Sequence, residues 1–302
     1  MALWIYISIA AAFMQNLRSA LQKSLSDDIG TMGATYARFL FALPFTPIYA
    51  WAIGPGSGTP FPDTNLTFFM HCIIGATAQV LATAALIHSF TYRNFAVGTT
   101  FSQTATIQAA IIGFIVLGEG VTLYAGLGIL VSFFGILALS AQDGERSVFS
   151  VLGSLGQPAA LYGLLSGLMF GISSITYRAA SLSLGEDQSM FVNASMSLVV
   201  AQAWQVLIMS LWFLVRSPET IMQTIRAWRL ALPIGFAGMW TSVGWFTAMA
   251  LYNAAYVRAV GQIELVFTIA ASVLFFRERV TLREIVGITL VGGGIALLVL
   301  LG

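Results

Sequence analysis

The chain has 302 residues, of which 58% are hydrophobic and only 8% are charged. Ordinary globular domains carry about 25% charged residues, so this composition excludes a soluble protein. The formal net charge of +1 provides no basic surface for nucleic acid, and the single cysteine, Cys72, excludes an internal disulfide. The sequence contains no motif that indicates a metal ion or a cofactor.

Apolar segments long enough to cross a bilayer follow one another along the chain, separated by polar and Gly/Pro clusters. Lipid offers backbone groups no hydrogen-bond partners, which leaves helices or closed barrels. The segments are too long and too uniformly apolar for barrel strands, so they predict an all-α integral membrane protein. The first five predicted helices are 3–25, 31–53, 66–91, 94–116 and 121–140. The second five are 157–181, 188–215, 228–252, 255–276 and 281–301.

Residues 141–156 form the only long polar connection within this set, and we interpret them as a linker between two halves, 1–140 and 157–302. The two halves resemble each other. The segment LGEGVTLYAGLGILVSFFGI (117–136) aligns with FRERVTLREIVGITLVGGGI (276–295) at a constant offset of 159 residues. Each half holds an odd number of helices, so the second copy enters the membrane from the opposite side. The sequence therefore predicts ten transmembrane helices as two inverted five-helix repeats.

A row of small residues on the sixth predicted helix indicates a close helix contact, since lipid supplies no hydrophobic drive between helices. The row comprises Gly163, Gly167 and Gly171.

Basic residues are distributed unevenly between the two predicted membrane surfaces. One surface has Lys23, Arg93, Arg146, Arg216, Arg226, Arg229, Arg277, Arg279 and Arg283. The other surface has Arg178 and Arg258. The positive-inside rule places the first surface in the cytoplasm and predicts that both termini lie outside.

A GEGVTL turn at 118–123 and a RERVTL turn at 277–282 precede the last, Gly-rich helix of each half. With the five-plus-five duplication, these turns give a chain that resembles the ten-helix EamA-type branch of the drug/metabolite transporter (DMT) superfamily. The resemblance covers essentially the whole chain. It implies a secondary carrier of the cytoplasmic (inner) membrane, often an exporter, with both termini cytoplasmic. Members carry amino acids, sugars, nucleotide sugars, drugs and other metabolites, so the resemblance does not name the substrate.

Glu264 is the only acidic residue in the middle of a predicted helix. A charge at the bilayer centre costs about 2.5 to 3.5 kcal/mol on insertion scales, so it needs a partner or a cavity. Gly261, Thr268 and Ser272 share its helical face, which suits a bundle interior. Glu264 is therefore the candidate for proton or cation coupling. The alternative is a structural ion pair or a neutral, hydrogen-bonded carboxyl group.

Arg18 and Arg38 lie inside the facing ends of the first two predicted helices, both roughly 10 Å deep from the same side. Two guanidinium groups at one depth suit a carboxylate or phosphate on the substrate. Gln15 shares the face of Arg18, with Asn16 beside it, so this face is too polar for lipid. The alternative is that the two arginines extend to the headgroups.

Six further candidates for substrate binding lie within predicted helices: Gln103, Thr106, Tyr177, Trp240, Trp245 and Gln262. Interhelical hydrogen bonds explain the polar residues as well as substrate contact does. The aromatic residues suit either the wall of a cavity or simple packing.

Together with the resemblance, these residues predict a secondary transporter, an exporter of a small metabolite, an amino acid or an organic anion, that works by alternating access with a proton as candidate coupling ion. One alternative is an organic-cation or multidrug exporter in which Glu264 and aromatic side chains hold the cation. A membrane-embedded enzyme is disfavoured, because the sequence has no H-E-x-x-H motif and no intramembrane aspartate pair. The expected partners are a small-molecule substrate and the lipid bilayer, without nucleic acid, for a monomer or homodimer.

Overall fold

The computed structural model describes residues 3–89, 91–92, 95–140, 155–185, 189–276 and 281–302. Most of the predicted linker, residues 141–154, and the turn at 277–280 with Glu278 lie outside these ranges. Every regular element of the described residues is helical. Seven helical segments among them are long and apolar enough to cross a membrane.

The helices of the described residues are, in chain order, α1 Leu3–Ala42, α2 Phe45–Ile53, α3 Leu66–Ser89, α4 Phe95–Ser102, α5 Ala105–Leu117, α6 Leu123–Ser140, α7 Pro158–Leu182, α8 Met190–Arg216, α9 Pro218–Arg226, α10 Trp228–Leu251, α11 Ala254–Gly261, α12 Glu264–Phe276 and α13 Leu282–Leu301.

Two compact units share these helices. Unit 1 comprises Met1–Val80 and Thr176–Tyr252, and unit 2 comprises Leu81–Ile175 and Asn253–Gly302. Each unit therefore combines stretches from both halves of the sequence.

The first two predicted helices run together as α1, with a local break at Gly30. Gly30 has a φ of 73° and a ψ of 162°, a conformation that glycine adopts without a steric penalty. The predicted second helix is wrong in its extent, because it is interrupted at Leu43 and Pro44 before α2 begins. Pro44 has no N–H with which to continue the hydrogen bonding of α1.

The fourth predicted helix of each half is broken in the middle, at equivalent residues. Gln103 and Thr104 separate α4 from α5, and Gln262 and Ile263 separate α11 from α12. At both breaks the glutamine N–H donates to the carbonyl oxygen three residues earlier, at 3.1 Å and 3.2 Å, which is the tighter bonding of a 3-10 turn. The prediction that these glutamines lie within continuous helices is therefore wrong. The duplication preserves a helix break together with its glutamine.

The last helices of the two halves, α6 and α13, pack against each other within unit 2 along two glycine contacts. A Cβ at Gly128 would lie 2.5 Å from the carbonyl oxygen of Gly294, and one at Gly135 would lie 2.8 Å from that of Gly287. Sequence numbers rise along one helix as they fall along the other, so the two helices are antiparallel.

Ser132 and Val291 lie at the centre of this contact. Ser132 Oγ donates to the Val291 carbonyl oxygen at 3.3 Å, and the two residues are separated by the 159 positions of the sequence repeat. The same offset relates Gly128 to Gly287 and Gly135 to Gly294, so it exchanges the two glycine contacts. The contact therefore has a local two-fold axis perpendicular to the helices, the relation that inverted repeats require.

The glycine row of α7 packs closely in unit 2, as predicted. A Cβ at Gly163 would collide with the carbonyl oxygen of Gly98 on α4, and one at Gly167 would lie 2.8 Å from Thr104 Oγ1 at the break. The row therefore holds the broken helix close to α7.

Candidate functional site

Arg18 and Arg38 converge in unit 1 on a glycine of α10. A Cβ at Gly238 would lie 2.8 Å from Arg38 Cγ and 3.6 Å from Arg18 Cδ, so the missing side chain makes room for both arginines. The charge of Arg18 acts on the guanidinium of Arg38, which also lies 4.2 Å from the centre of the Phe39 ring. Both arginines are half-buried. We call this site the arginine pair.

In the part of unit 1 that the structure describes, every half-buried charged side chain is an arginine. Besides the arginine pair there is Arg178, whose Nη1 donates to the carbonyl oxygens of Met249 at 2.8 Å and Ala250 at 3.3 Å. Arg178 thereby caps the C-terminal end of α10. The acidic side chains in the described part of unit 1 are all exposed: Asp27, Asp28, Asp63 and Glu219. This balance of charge favours an anionic ligand.

Tyr177 belongs to a buried polar cluster in unit 1. It lies close enough to Arg38 for the two side chains to interact electrostatically. Its hydroxyl donates to Gln79 Oε1 at 2.8 Å, and Gln205 Nε2 donates to the same oxygen at 2.6 Å. The Tyr177 ring packs on Phe246 with centroids 4.1 Å apart. Sequence reasoning missed both glutamines. The signal that would have found them is an amide in the middle of an otherwise apolar membrane helix.

Gln15 and Trp245 are brought together by the packing of α1 on α10. Trp245 Nε1 donates to Gln15 Oε1 at 2.8 Å, three residues before Arg18 on α1. Asn16 is half-buried beside Gln15. The tryptophan thus positions a polar side chain next to the arginine pair.

An apolar groove of about 480 Å³ lies between α1 and α10 in unit 1. Its lining consists of Ile7, Ala10, Ala11, Met14, Phe236, Trp240, Val243 and Gly244. Trp240 is 41% exposed, so this side chain lines an open groove. We call this feature the apolar groove.

In unit 2, the break between α11 and α12 carries a buried hydrogen bond. Gln262 is only 5% exposed, and its Nε2 donates to Thr106 Oγ1 on α5 at 3.0 Å. The equivalent Gln103 is half-buried at the other break. The two repeats therefore use the same residue in different environments.

Glu264 is the first residue of α12, so the prediction of a mid-helix carboxylate is wrong. The N-terminus of a helix stabilises a negative charge, which offsets part of the cost of burial. The predicted polar face is also wrong, because Thr268 is exposed and Gly261 lies across the break in α11. The break changes the helical register that the pattern assumed. The side chain of Ser272 lies outside the described part of the chain.

Arg258 is a candidate that sequence reasoning assigned to the membrane surface. It is half-buried in α11, where its Nη1 donates to Ser174 Oγ at 3.0 Å and its guanidinium lies 5.6 Å from the centre of the Phe170 ring. The negative charge of Glu264 acts on it. The signal that would have found Arg258 is its position six residues before Glu264 in the same apolar segment.

The profile of the EamA-like transporter family matches residues 2–141 and 157–300. The chain belongs to this family. The match confirms the resemblance to the DMT superfamily and makes this EamA-like transporter a multi-pass membrane protein with two repeats.

The crystal structure of another protein superposes on this chain with a TM-score of 0.70 and 14% sequence identity, over 99% of this chain and 96% of that one. At this identity the likeness shows the fold alone. A comparison with curated proteins finds no match.

The two broken helices of this EamA-like transporter differ in charge. Arg258 and Glu264 flank the second break, whereas the equivalent residues of the first repeat are Thr99 and Ala105. Discontinuous helices are where secondary transporters place substrate and coupling-ion sites. The charged residues therefore distinguish the second break as the candidate coupling site.

Proposed function

We propose that this protein is a secondary transporter that exports a small metabolite, an amino acid or an organic anion, across the cytoplasmic membrane by alternating access. The observation that carries the proposal is the arginine pair over Gly238. Two neighbouring guanidinium groups repel each other, and an anion between them relieves that repulsion. Arginine also binds carboxylate and phosphate groups through two parallel hydrogen bonds.

The architecture that we propose has ten transmembrane helices in two inverted repeats, residues 1–140 and 157–302, joined by the linker 141–156. In this architecture Gly30 divides α1 into two passages, and the second part of α1 continues into α2. The pair α4 and α5 forms one passage, and so does the pair α11 and α12. The total is then ten passages. The antiparallel contact of α6 with α13 supports the inversion.

For coupling we propose that Glu264 carries a proton and that Arg258 responds to its ionisation. The support is the electrostatic interaction of the two side chains across the helix break. The working partners are a small-molecule substrate and the bilayer, without nucleic acid, and the protein acts as a monomer or homodimer.

An organic-cation exporter is the second candidate, and the exposed aromatic side chains of the apolar groove favour it. The half-buried charged side chains of unit 1 are arginines in the part that the structure describes, and they repel a cation. We therefore place the organic anion first.

Transport into proteoliposomes tests this order of substrates. Amino acids, short carboxylic acids, sugar phosphates and tetraphenylphosphonium are offered in turn to wild type, Arg18→Gln and Arg38→Gln. We expect uptake of at least one anion by wild type and a loss of about tenfold or more in either variant, because a charge-assisted hydrogen bond is removed.

Arg216→Gln is the matched control, since Arg216 is exposed at the end of α8. It should transport like wild type. Uptake of tetraphenylphosphonium alone, or full anion transport by both glutamine variants, would overturn the proposal.

A further inference from the structure

We propose that the substrate is an amphipathic organic anion, whose acidic group binds the arginine pair and whose apolar part lies in the apolar groove. This inference rests on the proposed function and adds the class of molecule that the same site accepts.

The apolar groove and the arginine pair are continuous along α1. Ile7, Ala11, Met14 and Arg18 follow one another at intervals of four, three and four residues, so they share one helical face. Arg18 lies four residues, about 6 Å, beyond Met14 at the end of the groove. A molecule in the groove therefore meets a cationic site at that end.

On α10 the groove and the arginine pair use different faces of the helix. Gly238, over which the two arginines converge, falls in sequence between Phe236 and Trp240. These two aromatic residues line the groove. Gly238 lies two residues from each of them, about 200° around the helix, so the connection between the groove and the arginine pair runs along α1.

The dimensions of the groove fit a small molecule better than a membrane lipid. From Ile7 to Met14 the lining extends seven residues along α1, or about 10 Å. Half of a hydrocarbon core, which one phospholipid chain spans, is about 15 Å. The volume of about 480 Å³ falls within the range of small-molecule sites, roughly 300 to 1,000 Å³.

The lining decides the chemistry of the tail. All eight residues of the groove are apolar or glycine, so a wholly polar anion gains nothing from it. A neutral apolar molecule gains nothing from the arginines. Only a molecule with both features uses the whole site.

Binding to the purified full-length protein in lipid nanodiscs tests the inference, with acetate, phenylbutyrate and phenylbutanamide as probes in isothermal titration calorimetry. We expect phenylbutyrate to bind on the order of tenfold tighter than acetate, because its phenyl group leaves water for the groove. Phenylbutanamide, which lacks the charge, should bind weakly or not at all.

Ala10→Phe fills the groove at an exposed position. This variant should bind phenylbutyrate no more tightly than acetate while it binds acetate like wild type. Ala20→Phe, at an exposed position further along α1, should retain the wild-type preference for phenylbutyrate. Trp240→Ala provides a second test by removing a wall, and it should weaken phenylbutyrate binding but not acetate binding.

Three outcomes separate this inference from the proposed function. Equal affinity of wild type for acetate and phenylbutyrate, with both lost in Arg38→Gln, would overturn the inference and leave the anion transporter intact. A phospholipid that co-purifies with wild type but not with Ala10→Phe, and that phenylbutyrate does not displace, would also overturn it. No binding of any acid, together with no anion transport, would overturn the proposed function as well.

Discussion

Gly128 of α6 and Gly294 of α13 lie in direct backbone contact in unit 2. A Cβ at Gly294 would lie 2.5 Å from the carbonyl oxygen of Gly128, a distance that side-chain carbons do not tolerate. The contact relates the last helices of the two sequence halves, so the local symmetry of unit 2 depends on glycine at both positions.

Gly294→Ala should lower the free energy of unfolding by about 1 to 3 kcal/mol, because the added methyl group overpacks this contact. The change is measured as a lower Tm of the protein in detergent. Gly126→Ala on α6 is the control, since no atom lies within 4 Å of its Cβ position, and its Tm should equal or slightly exceed that of wild type. An equal decrease of Tm in the two variants would contradict the close contact of Gly128 with Gly294.

Gln262→Leu should destabilise the protein more than Gln103→Leu, although the two glutamines occupy equivalent breaks. The first change removes a buried bond of 3.0 Å and leaves the hydroxyl of Thr106 without it, which costs about 1 to 3 kcal/mol. Gln103 is only half-buried, so the cost of replacing it should be smaller. Unfolding followed by tryptophan fluorescence gives both values. Identical losses would mean that the break itself, and not this bond, requires glutamine.

Glu264→Gln should leave folding intact and abolish accumulation driven by a pH gradient. The amide keeps the shape and hydrogen bonding of the carboxyl group while it removes the titratable proton. Flux of the identified substrate is measured in proteoliposomes with and without an imposed gradient. Glu219→Gln, at an exposed position of α9, should respond to the gradient like wild type. Equal gradient dependence of wild type and Glu264→Gln would exclude Glu264 as the coupling residue.

The charge distribution predicts that a reporter fused after Gly302 is active outside the cytoplasm. Arg178 and Arg258, the basic residues counted on the second surface, both make hydrogen bonds within the helical units. Whether or not these two residues are counted, the first predicted surface keeps the excess of basic residues. The family resemblance implies the opposite orientation. A pair of fusions, one active only in the periplasm and one active only in the cytoplasm, decides between them.

The arginine pair and Glu264 differ in how far the sequence could predict them. The similar depth of Arg18 and Arg38 follows from counting residues along two apolar segments. Their convergence on Gly238 depends on how α10 packs against α1, which no local pattern contains. The position assigned to Glu264 was wrong because hydropathy does not register a break between apolar residues, and Gln262 and Ile263 interrupt α11 and α12 without changing the apolar character of the segment.

Membrane character, helical class and internal duplication were determined by the sequence itself, because composition and repeated residues reflect local requirements of a chain in lipid. Which side chains meet was decided only by the tertiary structure. Tyr177 joins Gln79 and Gln205 from three separate helices, and Arg258 reaches Ser174 on another. Such contacts depend on helix rotation and on breaks that shift the register of every later residue, and both are set by packing between segments far apart in the sequence.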